Sequence, residues 1–227
     1  MRTKRSTSQR TRTNETACPF GILLDPDPDP SLVRAGVLSI RECRDLLGSC
    51  ADPLAALHLV LPLFAGLPLV AIRKLTWDAF KSGRTILVPP LEPGAKVSDN
   101  DGNQERRVPL LHTLDAWLKP FYGADDNLFV DNRLLERTAS VLRSAGVRHV
   151  DSLRRTFIAH GLLLFPEILP DCLYVRPGEL KALRLPSPSP VDLLTAHATV
   201  SLTPASVDIT DWPERVARAL QNYSAPN

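Results

Sequence analysis

The chain has 227 residues, 44% hydrophobic and 23% charged, with a formal net charge of +2. That is globular composition, enough for one well-packed domain with extensions, and it excludes a wholly disordered chain. The charge is unevenly placed. Residues 1–14 carry Arg2, Lys4, Arg5, Arg10 and Arg12 and no acid, and with those five set aside 22 basic residues face 25 acidic ones. A basic arm can hold phosphate backbones, whereas a slightly acidic body is a poor match for extensive duplex contact.

Residues 1–36 read as arm and linker, because each X-Pro step of Asp25-Pro26-Asp27-Pro28-Asp29-Pro30 favours extended backbone and opposes helix. Ser39-Ile40-Arg41-Glu42 is a capping box that opens a short helix with Ile40, Cys43, Leu46 and Leu47 on one face. Asp52-Pro53 then starts the longest apolar run, with aspartate as cap and proline in the first turn. Leu54 to Ile72 carries no formal charge, so a membrane span has to be weighed. His58, Pro62, Gly66 and Pro68 within it fit a buried helix broken near Gly66-Leu67-Pro68 better, and the N-terminus has no signal-peptide apolar core.

Arg84-Thr85-Ile86-Leu87-Val88 reads as a strand, residues 91–104 as a Gly-, Asn- and Asp-rich loop, and Arg106-Arg107-Val108-Pro109-Leu110 as the returning strand. Leu111 to Phe121 fits an amphipathic helix with Leu114, Trp117 and Leu118 inward. Leu128-Phe129-Val130 is a short apolar piece, and Asn132 is expected to cap a helix through Ser144 that Gly146 ends. A helix from the Asp151 region is expected to run to about Leu164, carrying Phe157, Leu162 and Leu163. Beyond Pro166 the chain is rich in Pro and Ser, with a last helix from Asp211-Trp212-Pro213-Glu214 to about Asn222. Together these elements predict a mainly α fold with a small antiparallel sheet, in three parts: 1–36, 37–165 and 166–227.

Cys18, Cys43, Cys50 and Cys172 have neither CxxC spacing nor histidines at zinc-site intervals, so no metal site and no cofactor is expected, and scattered thiols suit a reducing cytoplasm. There is no Gly-rich phosphate loop, GxSxG or HExxH. His58 and His160, on apolar helices, read as satisfied core or rim histidines.

Several stretches carry a resemblance. Leu38-Ser39-Ile40-Arg41-Glu42, the Gly66-Leu67 helix end with Leu75, Trp77 and Asp78, the Arg106-Arg107-Val108-Pro109-Leu110 strand, and Leu153-Arg154 with Thr156-Phe157 are similar to the catalytic domain of phage-integrase-type tyrosine recombinases. The resemblance covers residues 37–165. It implies double-stranded DNA as partner, and chemistry in which a tyrosine attacks a phosphodiester while two arginines hold the non-bridging oxygens, where charge grows in the transition state.

The residues that should do this chemistry are largely replaced. The first arginine is Pro68, its supporting glutamate is Ala71, and the first histidine of the second box is Asp151, an anion where a phosphate would sit. Arg154 matches the second arginine, with Arg155 after it. Lys96 is the candidate for the sheet-turn lysine. Of the three tyrosines, Tyr122 precedes the box and Tyr174 follows it too closely, so Tyr223, near the end of the chain, is the candidate nucleophile by order alone, and each of the three reads first as a packing or surface residue. Arg73, Lys74, Lys96, Arg106, Arg107 and Arg155 form the candidate phosphate-binding set.

Loss of one preorganised donor costs roughly 100- to 1,000-fold in rate, and loss of the nucleophile abolishes covalent chemistry. The sequence therefore points to a recombination- and integration-family protein that no longer cleaves DNA, a pseudoenzyme or mobile-element remnant. It would retain DNA binding or a regulatory role, as an oligomer with itself or with an active recombinase. An active recombinase with displaced catalytic residues, and a protein-interaction module without DNA, are the alternatives.

Overall fold

The computed structural model describes residues 36–90, 106–147, 151–164, 181, 183 and 190–223. Cys18, Lys96, His149, Cys172 and Tyr174 lie outside them. In chain order the elements are α1 (Ile40–Ser49), α2 (Pro53–Ala65), α3 (Leu69–Ile72), a 3-10 turn (Trp77–Phe80), β1 (Thr85–Val88), β2 (Arg106–Pro109) and α4 (His112–Leu118). Two further 3-10 turns (Lys119–Phe121 and Asp126–Phe129) precede α5 (Asn132–Ser144) and α6 (Asp151–Leu164). Then come α7 (Pro190–Val200), a 3-10 turn (Ala205–Val207) and α8 (Trp212–Gln221). The fold is mainly helical with a small two-stranded antiparallel sheet, as expected.

The capping box that opens α1 is formed from both sides: the Ser39 amide donates to Glu42 Oε2 at 2.7 Å and the Glu42 amide to Ser39 Oγ at 3.2 Å, satisfying two amides that would otherwise lack partners. Asp52 caps α2 by accepting from the Leu54 amide at 3.1 Å, with Pro53 in the first turn. Gly66 ends α2 at φ 62°, in the left-handed region that costs glycine least.

All 13 residues of α2 are buried. Its length, about 20 Å at ~1.5 Å per residue, falls short of the ~30 Å of a bilayer core. Among the described residues no helix is long and apolar enough to cross a membrane. The apolar run is instead the central helix of a protein core, with α4, α5, α6 and α8 packed around it.

The strands pair in register, Ile86 opposite Val108 and Leu87 opposite Arg107. Ile86, Val88 and Val108 are buried and Arg107 is exposed, which is the period-two alternation of a sheet with one wet face. The Trp77 region forms a 3-10 turn, where its ring stacks among Phe80, Phe121 and Phe129 and its amide donates to Asp126 Oδ1 at 2.7 Å.

The cap of α5 is Asp131, whose carboxylate accepts from the Arg133 amide at 2.8 Å, and not Asn132. Both are good capping residues, and the cap falls one residue earlier than expected. At the other end Gly146, at φ 75°, and Val147 return their amides to Arg143 and Leu142 at 3.0 and 2.9 Å, closing a Schellman-type stop.

The helix α7 was not anticipated. Pro190 sits at its first position, where a missing amide costs nothing, and the helix lies along α6. One contiguous core runs from Val37 through α2 and α6 to Leu202, Ile209, Trp212 and Val216, so the described part of the C-terminal region shares the core of residues 37–164. Trp117 and Trp212 fix that join: Trp117 Nε1 donates to the Leu202 carbonyl at 2.7 Å, and Trp212 Nε1 to the Trp117 carbonyl at 3.0 Å. Cys43 and Cys50 are buried free thiols; burial raises both, Cys50 to about 11.

Candidate functional site

The turn after α2 positions the first candidate group. Leu67 is buried, and Pro68 is the N-cap of α3, its carbonyl accepting from the Ala71 and Ile72 amides at 2.9 and 3.1 Å. Pro68 therefore acts as a backbone cap, with neither charge nor amide to offer a phosphate. Ala71, at the position the resemblance gives to a supporting glutamate, is fully buried. Arg73 is the exposed C-cap of α3. Lys74 Nζ donates to the Pro90 carbonyl at 3.1 Å, two residues past the Val88–Arg106 pair. Lys74, half-buried Arg106 and exposed Arg107 thus lie toward the same end of the hairpin, with no acid on either strand. A group of this kind can hold a phosphate backbone.

The second box lies on α6. Arg154 is only 6% exposed, while Asp151 is exposed and pairs with Arg155 one turn on, Arg155 Nε to Asp151 Oδ2 at 3.4 Å. Thr156 is fully buried and holds two backbone groups. Its hydroxyl accepts from the Leu38 amide at 2.8 Å and donates to the Ser152 carbonyl at 2.7 Å. The threonine of the box therefore ties α6 to the residue just ahead of α1.

Tyr223 follows α8, and its hydroxyl donates to Asp131 Oδ2 at 3.2 Å. The same carboxylate, on a side chain 2% exposed, accepts from Arg133 Nη2 at 2.9 Å and Nε at 3.2 Å. Arg133 holds the Asp131 carboxyl below the usual carboxylate range; the carboxylate is covered by its partners but lies near the molecular surface, so burial offsets only part of this. Burial and the Asp131 charge raise the Tyr223 phenol above its ordinary value, which makes it a weaker nucleophile at neutral pH. Tyr122 is likewise held, donating to Asp115 Oδ1 at 2.6 Å, and is raised by burial and that hydrogen bond.

On α2, His58 Nε2 donates to the Leu128 carbonyl at 2.8 Å, leaving Nδ1 without a hydrogen-bond partner, and burial lowers its basicity. His160 on α6 departs further from the expected satisfied histidine, because neither ring nitrogen has a hydrogen-bond partner. Among the described residues no group of three or more His, Cys, Asp or Glu is placed to hold a metal ion.

The structure thus brings Lys74 to the hairpin that carries Arg106 and Arg107, and commits Tyr223 to Asp131 at the start of α5, with Arg154 on α6. The sequence reading missed Asp131 as the cap of α5 and partner of Arg133, although an aspartate two residues before Arg133 at a helix start is the local signal for that role. No known protein family, no curated protein and no solved structure matches the chain.

Proposed function

We propose that this chain is a tyrosine-recombinase-like protein that binds double-stranded DNA without cleaving it, acting in the cytoplasm as an oligomer with itself or with an active recombinase. The observation that carries the reading is the grouping of Lys74, Arg106 and Arg107 at one end of the β1–β2 hairpin. Lack of cleavage is supported by Pro68 as a helix cap, by the buried Ala71, and by a Tyr223 hydroxyl spent on Asp131.

Duplex binding titrated against salt tests it. Each phosphate contact contributes about 0.9 to the slope of log K against log salt, so Lys74→Ala and Arg107→Ala should each lower the slope by roughly one. No binding at low salt would sink the reading. A suicide duplex that traps covalent adducts should give none; an adduct lost in Tyr223→Phe would instead establish an active recombinase with displaced residues.

A protein-interaction module is the second reading. It is favoured by the exposed apolar side chains Leu69 and Val70 on α3 and Leu193 and Leu194 on α7, of which Val70 is 55% and Leu194 44% exposed. A chain that fails to bind DNA yet self-associates through these residues would support it.

A further inference from the structure

We propose that α7 is an acid-released cover on α6, with His160 as the group that releases it. His160 is 4% exposed and lies where α6 meets Leu38 and α7. Its two ring nitrogens have no hydrogen-bond partners, so one N–H and one lone pair are shut away from water unsatisfied. A leucine would fill such a place without that cost. Buried polar groups are normally paired, so an imidazole left in this state marks a contact that water would improve.

The surroundings decide which way protons act. On α7, half-buried Asp192 is the charged group felt by the ring and favours the imidazolium; the other titratable group of that helix, His197, is exposed. Ahead of α1 the Leu38 carbonyl also favours the imidazolium, but no ring N–H reaches it with hydrogen-bonding geometry. The charged side chains of α1, Arg41, Glu42, Arg44 and Asp45, are exposed. On α2 the titratable group is His58, committed to Leu128. Along α6 the charged groups are Asp151, Arg154 and Arg155, five or more residues away.

Burial outweighs both favourable partners and lowers His160 from 6.5 to about 4. When α7 lifts, the ring meets water and returns toward its ordinary value. The docked arrangement is thus favoured above pH 6.5 and loses that preference as pH falls toward 4. With these two values, the docked-to-lifted ratio falls about 30-fold between pH 7.5 and pH 5. The inward residues Ala196 and Thr199 of α7, and the α6 face beneath them, become accessible. This inference rests on packing and is independent of the nucleic-acid reading.

Amide hydrogen exchange on the full chain at pH 7.5, 6 and 5, corrected for intrinsic rates, tests it. Protection of residues 190–200 should fall about 30-fold while that of α2 and α8 holds. His160→Leu and His160→Gln should both flatten this dependence. Protection of 190–200 that ignores pH, persists in its pH dependence in either variant, or is lost equally from α2 and α8, overturns the proposal. Should neither variant fold, the wild-type imidazole titrated by NMR decides: a midpoint between about 4 and 6.5 at which residues 190–200 also lose protection supports the cover, and an imidazole that titrates without any change in that protection overturns it.

Discussion

The Tyr223 hydroxyl donates to a carboxylate 92 residues earlier, Asp131, at 3.2 Å. Asp131 also caps α5 and grips the Arg133 guanidinium, so one carboxylate fastens the end of α8 to the start of α5. Removing the donor alone leaves Asp131 with its cap and its arginine. Tyr223→Phe should therefore cost only about 1 kcal/mol, the ordinary net value of one hydrogen bond. Asp131→Ala removes the cap and both anchors and should cost about 2–3 kcal/mol. Urea denaturation of the two variants gives the ordering; an equal loss in both would show that Asp131 acts only through Tyr223.

The same carboxylate makes stability depend on acid. Its folded value lies below the ordinary 3.8, chiefly through the Arg133 hydrogen bonds. A depressed carboxylate contributes stability that is complete above its unfolded value and is lost as pH falls through the folded one. The stability gap between wild type and Asp131→Asn should be full at pH 6 and shrink below pH 3.8. A gap that widens on acidification would refute the assignment.

Local signals carried much of the fold. The Ser39–Glu42 box, the Asp52-Pro53 helix start, the two short strands and the Gly146 stop each rest on residues close in sequence, and each is found within a residue of where the sequence places it. What escaped depends on distant partners. The segment of α7 mixes Thr, Val and Ala without a clean apolar stripe, and its helix is held by packing on α6. The Trp77 stretch forms a 3-10 turn whose first amide goes to Asp126, 49 residues away. The candidate site was legible as residue types at positions. Neither the Tyr223–Asp131 bond nor the unsatisfied His160 ring has a signature in nearby sequence.

Thr156 gives a cleaner case of a long-range bond. Its hydroxyl takes the buried Leu38 amide and gives its proton to the Ser152 carbonyl. Thr156→Val keeps the shape but leaves that amide without a partner, which costs about 1–3 kcal/mol. Thr156→Ser retains the oxygen and should lose less. Exchange of the Leu38 amide should accelerate in the valine variant and stay near wild type in the serine variant. The opposite ordering would mean that methyl packing, rather than the hydroxyl, holds α6 to the start of α1.

The turn at Pro68 and Ala71 tests whether the arginine–glutamate pair that the proposed recombinase likeness calls for can be installed. Ala71 is fully buried against the core that α2 centres. A glutamate there adds volume to a packed site and places a carboxylate where water does not reach, both unfavourable. Pro68→Arg alone supplies a cation but removes the fixed φ that starts α3. If arginine and glutamate formed a buttressed pair, the double variant would be more stable than the sum of the single losses predicts, and the coupling would show in a double-mutant cycle. Because the Ala71 amide donates to the Pro68 carbonyl at 2.9 Å, the two positions are neighbours and backbone disturbance alone can couple them by about 0.5–3 kcal/mol of either sign. The expected loss for Ala71→Glu is about 3 kcal/mol or more. Strong favourable coupling, together with a covalent adduct on a suicide duplex, would show that the scaffold accommodates the arginine–glutamate pair that the proposed likeness assigns to these positions.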